Sequence, residues 1–139
     1  MKDMTYFKVH IMNDILGIKT AYPIKKEYIN LIDVLMNVKF HFPISENEGV
    51  YKIILNNGSW YIGRSKNIIK RVWEHLCSSI DSKHNRGFYD CLAEEIFMNN
   101  EIIVLKLSKY QENEYKLLEL HLKIDDKHSF NKTKNNRIF

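Results

Sequence analysis

Gly49-Val50-Tyr51-Lys52-Ile53-Ile54-Leu55-Asn56-Asn57-Gly58-Ser59-Trp60-Tyr61-Ile62-Gly63 is the stretch that decides the fold. Both ends are rich in β-branched and aromatic residues, which favour strands. Asn57-Gly58 between them predicts a type I′ turn, whose two central residues need positive φ. The stretch therefore reads as a hairpin of residues 50–55 and 59–63. On adjacent strands, Tyr51 and Tyr61 can project to one face.

Downstream, Ile69, Val72, Trp73, Leu76 and Ile80 recur at helical spacing and predict a helix from Asn67 to about Ile80. A second helix is expected from Phe88 to Met98, with Leu92, Ile96 and Phe97 inward. Ile102 to Leu107 reads as a third strand. Glu112 to Ile124 reads as a third helix, with Tyr115, Leu117, Leu118 and Leu122 inward. The order β-β-α-α-β-α gives an α+β fold, a small three-stranded antiparallel sheet flanked by helices.

Residues 1–48 form an N-terminal extension ahead of a unit at 49–139. Thr5 to Ile11 alternates like a strand. Tyr28, Leu31, Ile32, Leu35 and Val38 form a helical stripe between Pro23 and Pro43. That stripe must be buried. Packing on the chain's own core is the first expectation, and a homodimer interface is the second.

The chain has 139 residues, enough for one domain with a modest core. No apolar run approaches the ~18 residues of a membrane span. Met1 to Thr5 lacks the apolar stretch of a signal peptide. Cys77 and Cys91 lie in helical patterns and read as reduced residues, which points to a cytoplasmic setting in the producing cell or an infected host. The net charge is +4. Residues 1–48 hold six Lys against six Asp and Glu, so the excess lies in residues 49–139. A basic excess there suits a surface that meets phosphates, although it serves solubility equally well.

Six residues follow one another at defined spacings. Tyr51 and Tyr61 stand ten apart, Arg71 comes eight after Gly63, and His75 four after that. Glu119 lies in Leu117-Leu118-Glu119-Leu120-His121-Leu122, and Asn131, twelve later, closes Ser129-Phe130-Asn131. Singly, each has an ordinary explanation. The tyrosines could be strand aromatics, Arg71 a solvated helix residue, and Glu119 a partner of Lys116 or Lys123. Together, in this order, they resemble the GIY-YIG nuclease family from Gly49 to Asn131. Val50 stands where the family name has Ile, a conservative departure.

The resemblance implies a DNA endonuclease that needs Mg²⁺ or Mn²⁺, and it implies the roles. Glu119 would be the single metal ligand, and a carboxylate among leucines is costly to bury without such a partner. Tyr51 would orient or deprotonate the attacking water, with help from His75. Arg71 would stabilise charge on the scissile phosphate, and Tyr61 would contact the phosphate or shape the site. A tyrosine of ordinary pKa near 10 is a poor base, so metal, Arg71 and His75 would have to lower it. Asn131 would tie the last segment to the site.

Arg64, Lys66, Lys70, Lys132, Lys134 and Arg137 are candidate phosphate contacts. His84 reads more readily as a surface histidine than as a catalytic one. The layout resembles compact stand-alone phage- or restriction-type enzymes, and richness in Asn, Lys and Ile suggests an AT-rich source such as a phage or mobile element. A non-catalytic nucleic-acid-binding module on the same fold is the alternative. It predicts a damaged residue set, which is not what the sequence holds.

Overall fold

A computed structural model describes residues 10–17, 26–81, 87–110, 114–125 and 129–130. The hairpin is present: β2 (Gly49–Ile54) pairs antiparallel with β3 (Trp60–Ser65), placing Tyr51 opposite Gly63 and Ile53 opposite Tyr61. Its turn differs from the expected type I′. Gly58 N–H bonds Leu55 O at 2.9 Å and Gly58 takes φ +88°, whereas Asn57 is not among the described residues with positive φ. The connection is thus a three-residue loop, Asn56 to Gly58, with glycine in the left-handed position. The Asn57 side chain accepts from Ser59 N–H at 2.9 Å, so it closes the loop instead of supplying a strained backbone.

The sheet has four strands and is mixed, not three-stranded and antiparallel. With residues 39–40 as β1 and 103–108 as β4, its order is β1-β4-β2-β3. β4 (Ile103–Ser108) runs antiparallel to β2, as anticipated. The added strand, β1 (Lys39–Phe40), comes from the N-terminal extension and lies parallel to β4. Lys39 N–H and His41 N–H reach Ile102 O and Val104 O, each at 2.9 Å. Two residues carry too little alternation to register as a strand in sequence.

Period-two alternation gives the sheet two apolar faces. On one, Tyr51, Ile53, Leu55, Tyr61 and Val104 pack with α1 (Lys26–Asn37), α2 (Ile68–Asp81) and α3 (Phe88–Met98). Leu31, Ile32 and Leu35 of α1 and Val38 just after it are buried in this same cluster, with Ile11 and Leu16. Each such side chain contributes about 1.5–3 kcal/mol by leaving water. On the other face, Val50, Trp60 and Ile62 meet Leu118 of α4 (Glu114–Asp125).

Some expectations change in detail and others fall outside the described residues. Residues 5–9 of the proposed first strand lie outside the described residues, and Ile11 begins a π-helical turn, Ile11–Ile15. Tyr28 and Tyr115 belong to helices whose side chains are not described there. Phe97 is 87% exposed, and Glu95 takes the inward position in α3. The reason is polar: Glu95 Oε2 accepts Asn56 N–H at 3.1 Å and so satisfies a backbone donor of the hairpin loop.

Two asparagines fix the start of α2. Asn67 is its N-cap, accepting Lys70 N–H at 3.0 Å. Asn47 accepts Ile69 N–H through its side chain at 2.9 Å and Ile68 N–H through its backbone at 3.1 Å. Asn47 Nδ2 donates to Asn67 Oδ1 at 2.7 Å, and Asn67 Nδ2 donates to Ile15 O at 2.8 Å. The helix that carries Arg71 and His75 is thereby locked to the segment before β2 and to the N-terminal turn.

Candidate active site

Both glycines of the hairpin motifs have a packing cause. A Cβ at residue 63 would stand 2.5 Å from Tyr51 Oη and 2.7 Å from Cζ, so the phenol lies directly on Gly63. Gly49 takes φ +145°, and a Cβ there would collide with Ser108 O of β4. Beside it, the β2–β4 register shifts between Val50 and Tyr51. This irregularity sits at the start of the strand that presents Tyr51, as bulges near active sites often do.

Tyr51, Tyr61 and His75 are each about 1% exposed. Tyr51 Oη lies 3.2 Å from His75 Nε2. The Tyr61 ring meets the imidazole edge-on at 5.4 Å and stacks on Phe88 at 4.9 Å. Four of the anticipated residues are therefore gathered on the sheet face under α2: Tyr51, Tyr61, His75 and Arg71.

Arg71 lies one turn before His75 on α2. Burial alone would lower its pKa, but the facing oxygens of Tyr51, Tyr61, Tyr89 and Glu74 outweigh burial and raise it. The guanidinium thus remains charged beside three phenols. Its side chain is 30% exposed and pairs with Glu74 at 3.4 Å, so it is the member of the group that reaches solvent.

His75 is more deeply placed than a residue at the edge of the helix stripe. Burial, and then the Arg71 charge, push its pKa down to about 3. It is neutral at working pH and does not titrate between pH 5 and 8. A neutral imidazole offers one N–H and one lone pair, so it can relay a hydrogen bond but brings no charge.

Glu119 corrects another expectation. Leu118, His121, Leu122 and Asp125 seat α4 on the sheet: Lys52 Nζ meets His121 Nδ1 at 3.1 Å, and Trp60 Nε1 donates to Asp125 O at 3.2 Å. Glu119 is on the exposed flank of the helix and not in a leucine-lined pocket. Among the described residues, no three His, Cys, Asp or Glu side chains cluster to hold a metal ion.

Arg64 and Lys66 are exposed beyond Gly63, with their cationic groups 4.9 Å and 5.4 Å from the centroid of the Tyr110 ring. Lys70 is exposed on α2. Asn131, Lys132, Lys134, Arg137 and His84 lie outside the described residues. The segment that leads to Asn131 is fixed up to Phe130, which donates its N–H to Trp60 O at 2.8 Å and packs on Phe88 at 5.3 Å.

Tyr89 was not among the residues singled out from sequence, because it lies in α3 outside every motif. Its hydroxyl is 3.2 Å from His75 Nδ1. Only its neighbour Phe88, a buried aromatic at a helix start, hinted that this turn packs on the hairpin.

No helix among the described residues is long and apolar enough to cross a membrane. Searches of curated proteins and of solved structures returned no match. A family comparison does: the GIY-YIG catalytic domain matches residues 47–135. That span begins at Asn47, which ties down the start of α2, and includes the hairpin, the gathered site and α4. The chain belongs to the GIY-YIG family and has a nuclease-type function.

Proposed function

We propose that this chain is a DNA endonuclease that hydrolyses phosphodiester bonds with Mg²⁺ or Mn²⁺. The observation that carries the reading is the buried Tyr51–His75 hydrogen bond beside the charged, partly exposed Arg71. Hydrolysis needs an oriented water and positive charge where the phosphoryl oxygens develop negative charge. Tyr51 donates to the neutral imidazole, which turns an oxygen lone pair toward the water, and Arg71 meets the phosphate from the solvent side. Tyr61 braces the imidazole.

Glu119 is the residue that would hold the cation. An exposed single carboxylate suits Mg²⁺, which keeps several waters and takes phosphate oxygens as its remaining ligands. When bound, the ion neutralises charge on the phosphate. Arg64, Lys66 and Lys70 extend a basic surface from the site, and Asn131, Lys132 and Lys134 are proposed to join it. A cytoplasmic role in a phage, mobile element or restriction system is proposed from the richness in Asn, Lys and Ile.

Supercoiled plasmid with Mg²⁺, with and without EDTA, tests the reading. Relaxed circles would show nicking, and linear product would show double-strand cutting, which a homodimer of single sites could deliver. Tyr51→Phe should bind DNA and fail to cut. Binding without cutting by the unmodified protein in Mg²⁺ and in Mn²⁺ would instead favour a non-catalytic binding module.

A further inference from the structure

His75 has a hydroxyl on each side. Tyr51 Oη of β2 lies 3.2 Å from Nε2, and Tyr89 Oη of α3 lies 3.2 Å from Nδ1. The Tyr61 and Phe88 rings close the remaining approaches at 5.4 Å and 5.6 Å. A neutral imidazole carries a single proton, so its two nitrogens must play opposite roles. Either Nδ1–H donates to Tyr89 and Nε2 accepts from Tyr51, or both directions are reversed.

The burial of the two phenols is unequal, and the nuclease reading requires the pattern in which Nε2 accepts from Tyr51. Tyr51 is 1% exposed, whereas Tyr89 is half-buried. Tyr89 can turn its own O–H to water while its oxygen accepts from His75. Tyr51 is set far deeper than Tyr89, and His75 Nε2 offers its O–H a buried acceptor. Only this pattern directs an imidazole lone pair at the Tyr51 proton.

We propose that Tyr89 is a positioning residue of the cleavage site: its oxygen accepts His75 Nδ1–H and fixes the tautomer whose Nε2 lone pair faces the Tyr51 hydroxyl. The role rests on the nuclease reading above, with Tyr51 as the group that meets the water. In this role Tyr89 acts through His75, while its oxygen also faces the Arg71 guanidinium. Its ring also packs on the imidazole at 5.9 Å, so Tyr89→Phe keeps the packing and removes only the hydroxyl.

Nitrogen-15 spectra of the ¹⁵N-histidine-labelled full chain report the tautomer directly, and His75 is assigned by its loss in His75→Gln. The unmodified protein should show His75 protonated at Nδ1. Tyr89→Phe should lose that preference, and its single-turnover cleavage should fall at least tenfold while DNA affinity stays within twofold. A wild-type His75 protonated at Nε2 overturns the proposal. So does a Tyr89→Phe protein with unchanged tautomer and rate. The tautomer of the unmodified protein needs neither a variant nor activity, so it stands as a test even if Tyr89→Phe does not fold. Failure of the unmodified protein to cut DNA would overturn the nuclease reading itself, a result separate from the tautomer.

Discussion

The Tyr51 phenol rests on the bare backbone of Gly63, its partner across the hairpin, with no room for even one methyl group between them. The last glycine of the second motif is thus a steric condition for the tyrosine of the first. Gly63→Ala should displace the Tyr51 ring and its bond to His75. Overpacking of this kind costs about 1–3 kcal/mol. Urea unfolding should register that loss, and cleavage should drop far more than the loss of folded protein explains. A stable, fully active Gly63→Ala would remove the steric link.

His75 makes stability depend on pH in a defined direction. Its pKa is about 3 when folded and near 6.5 when unfolded, so between those values the unfolded chain binds the extra proton. This contribution is complete above about pH 6.5 and is lost as pH falls toward 3, at up to ~1.4 kcal/mol per unit. Between pH 6.5 and 5 it amounts to about 2 kcal/mol. Urea unfolding of wild type and His75→Phe across that range should show a shallower slope in the variant. Equal slopes would mean the imidazole is not held neutral.

Glu119 is exposed, so replacing it should leave the fold nearly untouched. Glu119→Gln should change stability by less than ~0.5 kcal/mol, as surface substitutions do. Cleavage in Mg²⁺ should nevertheless be lost. Full activity of the variant in Mg²⁺ would end the metal-ligand assignment.

Asn47 ties three backbone and side-chain partners at the start of α2. Asn47→Ala removes its side-chain acceptor for Ile69 N–H and its donor to Asn67. The expected cost is about 1–2 kcal/mol, the upper range for a lost cap. Hydrogen exchange at Ile69 and Lys70 should speed up more than at Leu76. Unchanged protection there would show that Asn67 caps the helix unaided.

The parts of the fold carried by local pattern were legible in the sequence. The β-branched and aromatic content of 50–55 and 59–63 gives the strands, and the stripe Ile69, Val72, Trp73 and Leu76 gives the buried face of α2. What periodicity misses is set by long-range polar contacts. Asn57-Gly58 suggests one turn, but the Gly58–Leu55 bond selects another. Phe97 scores as a core residue, but an unpaired loop donor at Asn56 draws Glu95 inward instead. The site shows the same division. Motif spacing named Tyr51, Tyr61, Arg71 and His75, which the fold brings together. It could not supply Tyr89, whose importance comes only from where α3 crosses α2, nor foresee that Glu119 would stand on an open helix flank.

The two outer strands of the sheet are protected by unlike means. Without β1, the six residues of β4 would present a long row of unpaired peptide groups, and such a row invites another chain to add on. Lys39 and Phe40 cap that row with a stub too short to template a further strand. At the opposite margin, the chain returns and seats Phe130 N–H on Trp60 O. The extension and the returning segment therefore act as guards against sheet-to-sheet growth. A shortened form kept only for its catalytic residues would trade that protection for a tendency to aggregate.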